Sequence, residues 1–218
     1  MTMKKLVWVV AMVWVAAVLF GAEAKKEATS ASKASSKASS VLDSFYKPGT
    51  FAINVGFDLL ALAWGGFGAY PGIEFTFSQY AIDNKVPLDF GVAVQGYYYT
   101  FQYVYFTYSW SYNYLGVGLF GTAHFGPKNS MADVPDFLKH LDFYAGVGIF
   151  LQNYWVAFSD PTTQSYYDQY VKPNAKTAWL GFASIGGVTY FFTDSFGIRF
   201  DGTYYGYGGT TISAVFKF

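Results

Sequence analysis

Apolar and polar residues alternate with a period of two along most of the chain from residue 50 onward. The clearest case is the chain end, where one face carries only apolar side chains: Ile212, Ala214, Phe216 and Phe218. The opposite face carries Thr211, Ser213 and Lys217. A strand that is apolar on one side, polar on the other and closed by an aromatic residue is typical of a lipid-facing barrel.

We count eight such strands, each with an apolar outer face. Their alternating stretches lie at about 51–58, 73–77, 88–95, 115–124, 141–150, 180–190, 198–204 and 211–218. The sixth is the weakest because Ser184 and Gly186 fall on its lipid side, and the pair Gly186-Gly187 predicts a β-bulge. The predicted fold class is therefore all-β, an antiparallel eight-stranded transmembrane up-and-down β-barrel.

Composition supports a membrane protein built from strands. Hydrophobic residues make up 53% of the chain and aromatic residues 22%. Beyond residue 20 no apolar run approaches the ~18 residues that a spanning helix needs. Lipid offers no partner to backbone amides, so an apolar chain without such helices is expected to close into a barrel. The alternative is a soluble β-sandwich that is rich in aromatic residues.

The N-terminal 47 residues do not share the alternating pattern. Lys4 and Lys5 precede an apolar stretch, and small residues around Ala24 predict a signal peptide over residues 1–24. Residues 25–47 are a low-complexity Ser/Ala/Lys segment with a net charge of +3, from five Lys against two acidic residues. We expect it to be a solvated periplasmic spacer, or else a tether to anionic lipid or the cell wall, before a barrel domain over residues 48–218.

An even number of strands places both ends of the barrel on one side of the membrane, and the exported spacer makes that side the periplasm. Alternation and the height of each position along its strand then predict a group of charged residues inside the barrel near this end: Asp89, His124, Asp142, Arg199 and Lys217, with Asp201 somewhat above them. Charges inside a narrow barrel persist only when they are paired. We expect Arg199 to join two carboxylates, in a structural plug or, less favoured, an ion-selective gate.

Above these charges the inward positions become aromatic or small. They are Tyr97, Gly116, Gly118, Phe120, Gly148, Phe150 and Trp179. One hypothesis is a shallow pocket or conduit for small hydrophobic molecules, in which the glycines leave space. The competing interpretation is that the glycines make room for closely packed aromatic rings.

Residues 97–114 contain eleven aromatic residues among eighteen. Those of the outer loop are Phe101, Tyr103, Tyr105, Phe106, Tyr108 and Trp110. Part of this density is the aromatic girdle at the membrane surface. The remainder predicts a protruding hairpin that extends the third and fourth strands, and its Tyr-rich surface would suit a structural or adhesive role.

One segment resembles a known kind of protein. Residues 186–201, Gly-Gly-Val-Thr-Tyr-Phe-Phe-Thr-Asp-Ser-Phe-Gly-Ile-Arg-Phe-Asp, look like the penultimate hairpin of small outer-membrane barrels of the OmpW and OmpX type. Phe216 and Phe218 resemble the C-terminal signal of such barrels for the outer-membrane insertion machinery. The resemblance implies a bacterial outer-membrane location and leaves function divided between passage of hydrophobic compounds, as in OmpW-like barrels, and adhesion or envelope structure, as in OmpX-like ones.

Other function classes have little support in the sequence. Both histidines, His124 and His140, map to the periplasmic end, so the outer serines lack a base that could activate them, and we expect no enzyme. We find no metal-ligand spacing, cofactor motif or nucleic-acid patch. The expected partners are membrane lipid, the insertion machinery and either a small apolar ligand or a host surface, bound by a monomer.

Overall fold

Eight long strands account for most of the folded chain. A computed structural model describes residues 41–63, 65–83, 86–105, 108–126, 128, 135–171, 178–205 and 208–218. The strands are β1 Phe51–Asp58, β2 Phe67–Ile82, β3 Val86–Tyr105, β4 Tyr108–Phe125, β5 Leu141–Phe158, β6 Ala178–Phe191, β7 Phe196–Tyr204 and β8 Gly208–Lys217. The predicted signal peptide and the first part of the predicted spacer lie outside the described residues.

The strands form a closed ring. Each strand pairs antiparallel with the next one along the chain, and β8 returns to pair with β1, with Val55 opposite Ala214. The last residue completes this seam, because the amide of Phe218 donates to the carbonyl of Phe51 at 2.8 Å. The predicted antiparallel eight-stranded up-and-down barrel is confirmed. Where all eight strands pair, the closed ring leaves no unpaired sheet edge, as a bilayer requires.

The exterior of the ring is apolar. Large hydrophobic side chains are exposed on every strand and include Val55, Phe77, Val92, Leu119, Val147, Phe182, Phe200 and Phe216. The inward positions between them are buried and largely polar, as with Asn54, Thr76 and Gln95. A water-soluble monomer rarely exposes so large a continuous apolar surface. This alternation, apolar outside and filled inside, is that of a barrel surrounded by lipid.

The strand register differs from the prediction at one place. The pairing of β6 with both neighbours runs without a shift through Gly186 and Gly187, so the predicted bulge there is wrong. A register shift occurs instead between Thr76 and Ser78, where β2 pairs with β3. Gly187 lies close against β7, where an added Cβ would be 2.9 Å from the Cα of Asp201. This close approach of two backbones explains a glycine that needs no bulge.

The strands end at a similar level at one end of the barrel and at different levels at the other. The end that holds both described chain ends also carries the turn at residues 192–195, and we call it the periplasmic end because short turns face the periplasm in such barrels. At the outer end β3, β4 and β5 have 20, 18 and 18 residues, whereas β1 and β7 have 8 and 9. Three neighbouring strands therefore extend beyond the others on one side of the outer mouth.

Short helices occur only between the strands of the described chain. Helix α1, Leu59–Ala63, follows β1, and α2, Pro161–Tyr166, continues into one turn of π-helix, Tyr167–Val171, after β5. A 3-10 helix, Asp136–His140, precedes β5. No helix among the described residues is long and apolar enough to span a membrane.

The chain before β1 enters the barrel. We call residues 41–50 the strap, and within it Ser44, Phe45 and Tyr46 are buried, with Tyr46 0% exposed. Gly49 has a φ of +91°, which lets the strap turn from the lumen into β1. The prediction of a solvated spacer over residues 25–47 therefore does not hold for Ser44, Phe45 and Tyr46, because their side chains are buried in the periplasmic mouth.

Candidate functional site

A buried group of charges lies inside the periplasmic half, and its centre is His124. Its Nδ1 lies 2.7 Å from a carboxylate oxygen of Asp142, and its Nε2 lies 2.7 Å from a carboxylate oxygen of Glu74. All three side chains are buried. Each ring nitrogen therefore has a carboxylate oxygen as its hydrogen-bond partner. The three residues bring β2, β4 and β5 together across the lumen.

Arg199 continues this network from β7. Its Nη2 lies 3.4 Å from Glu74 and donates to the hydroxyl of Tyr46 at 2.6 Å, and its Nε donates to Thr189 at 3.1 Å. The guanidinium also stacks 4.1 Å from the ring centre of Tyr144. The expectation that Arg199 joins two carboxylates is wrong for the described residues. It pairs with one, Glu74, and the strap supplies its other strong acceptor.

Glu74 is the residue that the predicted charge group omitted. Alternation places it on the inward face of β2, but its height relative to His124 and Arg199 depends on the stagger between strands that are distant in sequence. With Glu74 included, a carboxylate lies between His124 and Arg199 and contacts both. Paired, hydrogen-bonded charges are the form in which buried ions are retained.

Asp201 lies one level above this centre. Its carboxylate accepts hydrogen bonds from the hydroxyl of Tyr144 and, at 2.8 Å, from that of Thr211. The predicted position somewhat above the other charges agrees with this placement. Tyr144 in turn stacks on His124, with ring centres 5.4 Å apart, so the two levels are in direct contact.

Two predicted members of the charge group, Asp89 and Lys217, interact with the strap rather than with the charged centre around His124. Lys217 donates to the carbonyl of Phe45 at 2.6 Å, and its ammonium lies 4.3 Å from the ring centre of Phe191. Asp89 accepts from Gln79 at 2.8 Å, and the same Gln79 hydrogen-bonds the backbone of Leu42. Both residues hold the strap in place.

The aromatic side chains of the strap complete the closure. Tyr46 stacks on His124 with ring centres 3.9 Å apart, and Phe45 stacks on Phe191 at 4.3 Å. Tyr46 therefore meets the charged centre with its ring and its hydroxyl at once. No pattern in residues 41–47 indicates this role, because two isolated aromatic residues beside a Ser/Ala/Lys segment have no periodicity.

A second pair of contacts fixes the strap outside the strands. Lys128 lies 3.3 Å from Asp43 of the strap and 3.0 Å from Asp194 in the turn between β6 and β7. The hydrogen bond from Lys128 lowers the pKa of Asp194 below its usual value. Partial burial opposes the charge on Lys128, but its bonds to Asp194 and Asp43 prevail and raise its pKa.

Above the charges an aromatic layer fills the middle of the lumen. Tyr97 and Tyr205 stack with ring centres 4.3 Å apart, and Phe120 and Phe150 meet Tyr205 edge-on. The hydroxyl of Tyr97 donates to Gln152 at 2.6 Å, and that of Tyr205 donates to Gln95. The predicted positions of Tyr97, Phe120 and Phe150 agree with this layer. Its other buried tyrosines, Tyr70, Tyr144 and Tyr205, were not predicted.

The inward glycines accommodate these rings. A Cβ on Gly118 would lie 2.6 Å from the ring of Phe120, and one on Gly116 would lie 2.6 Å from the hydroxyl oxygen of Tyr97. At Gly148 a Cβ would lie 2.9 Å from the Cα of Phe120, which is a close approach of two backbones. These positions favour the competing interpretation over the conduit hypothesis, because rings occupy the space that glycines provide.

Trp179 does not belong to the aromatic layer. It is placed on the inward face by alternation and pairs with Gln152, but it lies at the outer end of β6 and is 44% exposed. Its prediction as a lumen residue is wrong because alternation identifies a face of the sheet and not a depth in the barrel.

The predicted protruding hairpin is present. We call residues 97–114 the outer hairpin, in which β3 and β4 stay paired as far as Tyr105 opposite Tyr108. β5 supports it up to the pair Trp110 and Phe158. Phe101 and Trp110 are half-buried and Tyr103 is 50% exposed, whereas Phe106 and the side chains of Tyr105 and Tyr108 lie outside the described structure.

The two faces of the outer hairpin differ in chemistry. The face that continues the lumen carries stacked aromatic rings, with Tyr103 5.7 Å from both Trp110 and Tyr112. The opposite face carries small polar side chains, and with the loop before β2 it borders a cavity of about 490 Å³. We call this cavity the outer groove; it is lined mainly by Gly65, Phe67, Thr100, Gln102, Ser109 and Ser111.

Both histidines lie away from the outer serines, as alternation predicts. His124 is buried at the charged centre, and His140 ends the 3-10 helix, where its Nδ1 lies 2.9 Å from the carbonyl of Phe191. Within the described residues no group of three or more His, Cys, Asp or Glu side chains is arranged to hold a metal ion.

Comparisons with known proteins return barrels of the same size at low identity. No family model matches the sequence, and no curated protein matches it. Among solved structures, a de novo designed transmembrane β-barrel is 14% identical, with 79% of this chain and 98% of that chain covered and a TM-score of 0.42. Ail, the attachment invasion locus protein of Yersinia pestis, solved with the heparin analogue sucrose octasulfate, is 11% identical, with 78% and 94% covered and a TM-score of 0.41.

OprG, an outer-membrane protein of Pseudomonas aeruginosa, is 12% identical, with 81% of this chain and 99% of that chain covered and a TM-score of 0.39. The outer-membrane enzyme PagL is also similar, at 11% identity and a TM-score of 0.36. The geometry of the chain itself shows the fold. Its ring is closed, its exterior is apolar and its lumen is filled. The chain is a small eight-stranded transmembrane β-barrel.

Proposed function

We propose that this protein is a closed outer-membrane barrel that acts by binding a partner at the cell surface through its outer hairpin. The observation that carries the proposal is the contrast within β3 and β4. In the barrel, both strands line a filled lumen. Beyond the outer end of the barrel, they continue as a paired hairpin rich in aromatic residues.

The outer hairpin has the properties of a binding surface. Its backbone is paired, so little conformational freedom is lost on binding, and β5 stiffens it from one side. Tyr and Trp side chains offer large contact areas at low entropic cost, and Ser, Asn and Gln add hydrogen bonds. Residues 97–114 contain no Asp, Glu, Lys or Arg, so the partner is held by stacking and neutral hydrogen bonds.

The filled lumen supports binding over passage. A molecule that crossed from the outer mouth would meet the stacked rings of Tyr97 and Tyr205, then the pairs around His124, then the strap. Opening the route would separate buried charges from their partners, which costs several kcal/mol for each ion.

The assembly role of Phe216 and Phe218 is part of the same proposal. Both are partly exposed at the periplasmic end of the closing seam, where Phe218 pairs with Phe51. We infer that the insertion machinery reads this strand before the seam closes, and that the folded product is a monomer surrounded by lipid.

The test compares the full chain with a variant in which residues 101–110 are replaced by Asn-Gly, so that a four-residue loop ending in Ser111 and Tyr112 joins the paired Thr100 and Asn113. Both proteins are displayed on a non-adhesive bacterium, and attachment to host cells and to other bacteria is counted. We expect attachment by the full chain and at least a tenfold reduction for the trimmed variant. An electrophoretic comparison of heated and unheated samples checks that both barrels fold.

Equal attachment by two folded proteins would contradict the proposal. The matched control is a variant with a lengthened turn at residues 193–195, which alters the periplasmic end only and is expected to attach like the full chain.

A shallow apolar pocket in the outer mouth is the second candidate. The half-buried rings of Phe101, Trp110 and Tyr112 above the aromatic layer favour it. Saturable uptake of an apolar fluorescent probe by the full chain, with conductance in planar bilayers, would support this candidate. Uptake that survives removal of residues 101–110 would place the pocket below the hairpin.

A further inference from the structure

We propose that the outer groove is a binding site for a neutral saccharide chain. The inference rests on the proposed surface-binding role of the outer hairpin and names the ligand class and the face of the hairpin. The groove lies on the polar face, opposite the stacked rings of Tyr103 and Trp110.

The lining of the groove matches the chemistry of a sugar. Thr100, Ser109 and Ser111 present hydroxyl groups, and Gln102 presents an amide with two donors and an acceptor. Gln102 is exposed, and its side chain makes no hydrogen bond to any other residue in the described chain. Hydroxyl and amide groups that can both donate and accept are suited to a ligand whose own hydroxyls do both.

An aromatic side chain completes the site. Phe67 borders the groove and is partly exposed. The C–H faces of pyranose rings are apolar and stack on aromatic rings, while the sugar hydroxyls point outward to polar partners. A cavity of about 490 Å³ lies within the size range of small-molecule sites and would hold two or three sugar units.

The ligand is neutral because the lining carries no charge. None of the residues that border the groove is Asp, Glu, Lys, Arg or His. A sulfated, phosphorylated or uronic acid chain would leave its charges desolvated without a counter-ion, which is unfavourable. A peptide chain would bind the free edge of a sheet more readily, whereas this groove covers the broad face of a paired one.

The groove lies at a height above the membrane where saccharides are present. The same face of β4 carries Val117 and Leu119 lower down, then changes to Asn113, Ser111 and Ser109. At the change, Tyr98 donates to Asn113 and lies near Trp155, an arrangement that suits the aromatic girdle at the membrane surface. The groove is therefore just above the bilayer, at the level of the sugars of surface glycolipids and of free polysaccharide chains.

The experiment uses the full barrel in a sugar-free detergent, because an alkyl maltoside would compete for the groove. Neutral heptasaccharides of glucose, mannose and galactose are titrated by calorimetry, with tryptophan fluorescence as a second readout, and dextran sulfate is the anionic probe. We expect saturable binding of at least one neutral chain and at least tenfold weaker binding of dextran sulfate. Phe67→Ala and Gln102→Ala each reduce the affinity at least tenfold, whereas Tyr166→Ala, an exposed position in α2 that does not border the groove, leaves it within twofold.

The two proposals fail in different ways. Absence of saturable binding to all three neutral chains overturns the saccharide site, as does equal binding by Phe67→Ala and Gln102→Ala, or binding of dextran sulfate that is as tight. Attachment of displayed cells that is lost on trimming residues 101–110 would still support the surface-binding role. Competition by purified surface glycolipid, compared with its free polysaccharide, identifies which source of saccharide the groove prefers.

Discussion

The two halves of β4 show how one alternating strand serves two different surroundings. In the lower half Val117 and Leu119 face lipid, while Thr122 and His124 are buried in the lumen. In the upper half Ser109 and Ser111 face outward, and the aromatic Trp110 and Tyr112 lie on the face that continues the lumen. The period of two is unchanged, but the polarity of the two faces is reversed.

The reversal follows from the solvent at each height. Lipid requires apolar side chains outside and leaves polar and charged groups to pair inside, whereas above the bilayer water covers the outer face and rings gather on the other. The periplasmic half is consequently held by buried charges and a strap, and the outer hairpin by stacked rings. Substitutions in the periplasmic half are therefore expected to lower the free energy of unfolding strongly, and substitutions in the outer hairpin only weakly.

The largest decrease in the free energy of unfolding is expected for Glu74→Gln. The change leaves Arg199 and one nitrogen of His124 without their carboxylate in a closed lumen, so the free energy of unfolding falls by about 3–5 kcal/mol. Urea unfolding in lipid vesicles, followed by tryptophan fluorescence, measures it. Asp136→Asn is the matched control, since this exposed carboxylate pairs with the neighbouring Lys139 at the surface. A Glu74→Gln variant as stable as Asp136→Asn would contradict the account of the charged centre.

An arginine on the outer face of β4 compares the two halves directly. Val117→Arg places a charge in lipid and lowers the free energy of unfolding by about 2–4 kcal/mol, if Val117 lies near the bilayer midplane. Ser109→Arg makes the same change on the same face of the same strand, above the bilayer, and is expected to have an effect within about 0.5 kcal/mol. Equal effects of the two variants in the same unfolding assay would remove the distinction between the halves.

A smaller effect is expected for a single hydroxyl of the strap. Tyr46→Phe keeps the ring on His124 but removes the acceptor from Arg199, which costs about 1.5–3 kcal/mol of unfolding free energy for a hydrogen bond to a charged group. Tyr103→Phe in the outer hairpin is the control and should be nearly neutral. If both variants unfold at the same urea concentration as the full chain, the strap does not close the lumen in the way described.

The smallest effect concerns the turn that holds the strap. The pKa of Asp194 is lowered by the hydrogen bond from Lys128, so this contact stabilises the folded state above the usual aspartate pKa of 3.8 and is lost as the pH falls through the lower, folded value. Lys128→Met should return the pKa of Asp194 to its usual range in a carboxyl NMR titration. Asp160, whose pKa is lowered by hydrogen bonds from Thr163 in α2, should not change in the same variant.

The ring and its exterior were predictable because lipid imposes a rule on each strand separately. The lipid face of β6 illustrates this, since Leu180 and Phe182 are exposed on it as the pattern predicts, together with Ser184. The outer hairpin followed for the same local reason, from alternation that continues beyond the girdle. Charges such as His124 and Arg199 were assigned correctly to the lumen by their face.

Contacts across the lumen were not predictable in this way. Glu74 reaches His124 over a sequence separation of 50, and Tyr46 reaches Arg199 over a separation of 153. Trp179 has the inward face but the wrong depth for the aromatic layer, and Gly187 of β6 makes a close backbone approach to β7 where a bulge was predicted.

The order of polar and apolar residues by itself determined the number of strands, the face of each side chain and the membrane as its surroundings. These depend on the strand period and on the nearest solvent, which are local properties. The closed ring decided which residues lie at the same height in the lumen and which glycines leave space for aromatic rings. It also decided that the strap enters the periplasmic mouth. Such contacts depend on the stagger between strands and on a lumen that exists only once the ring has closed, so no single segment of the sequence contains them.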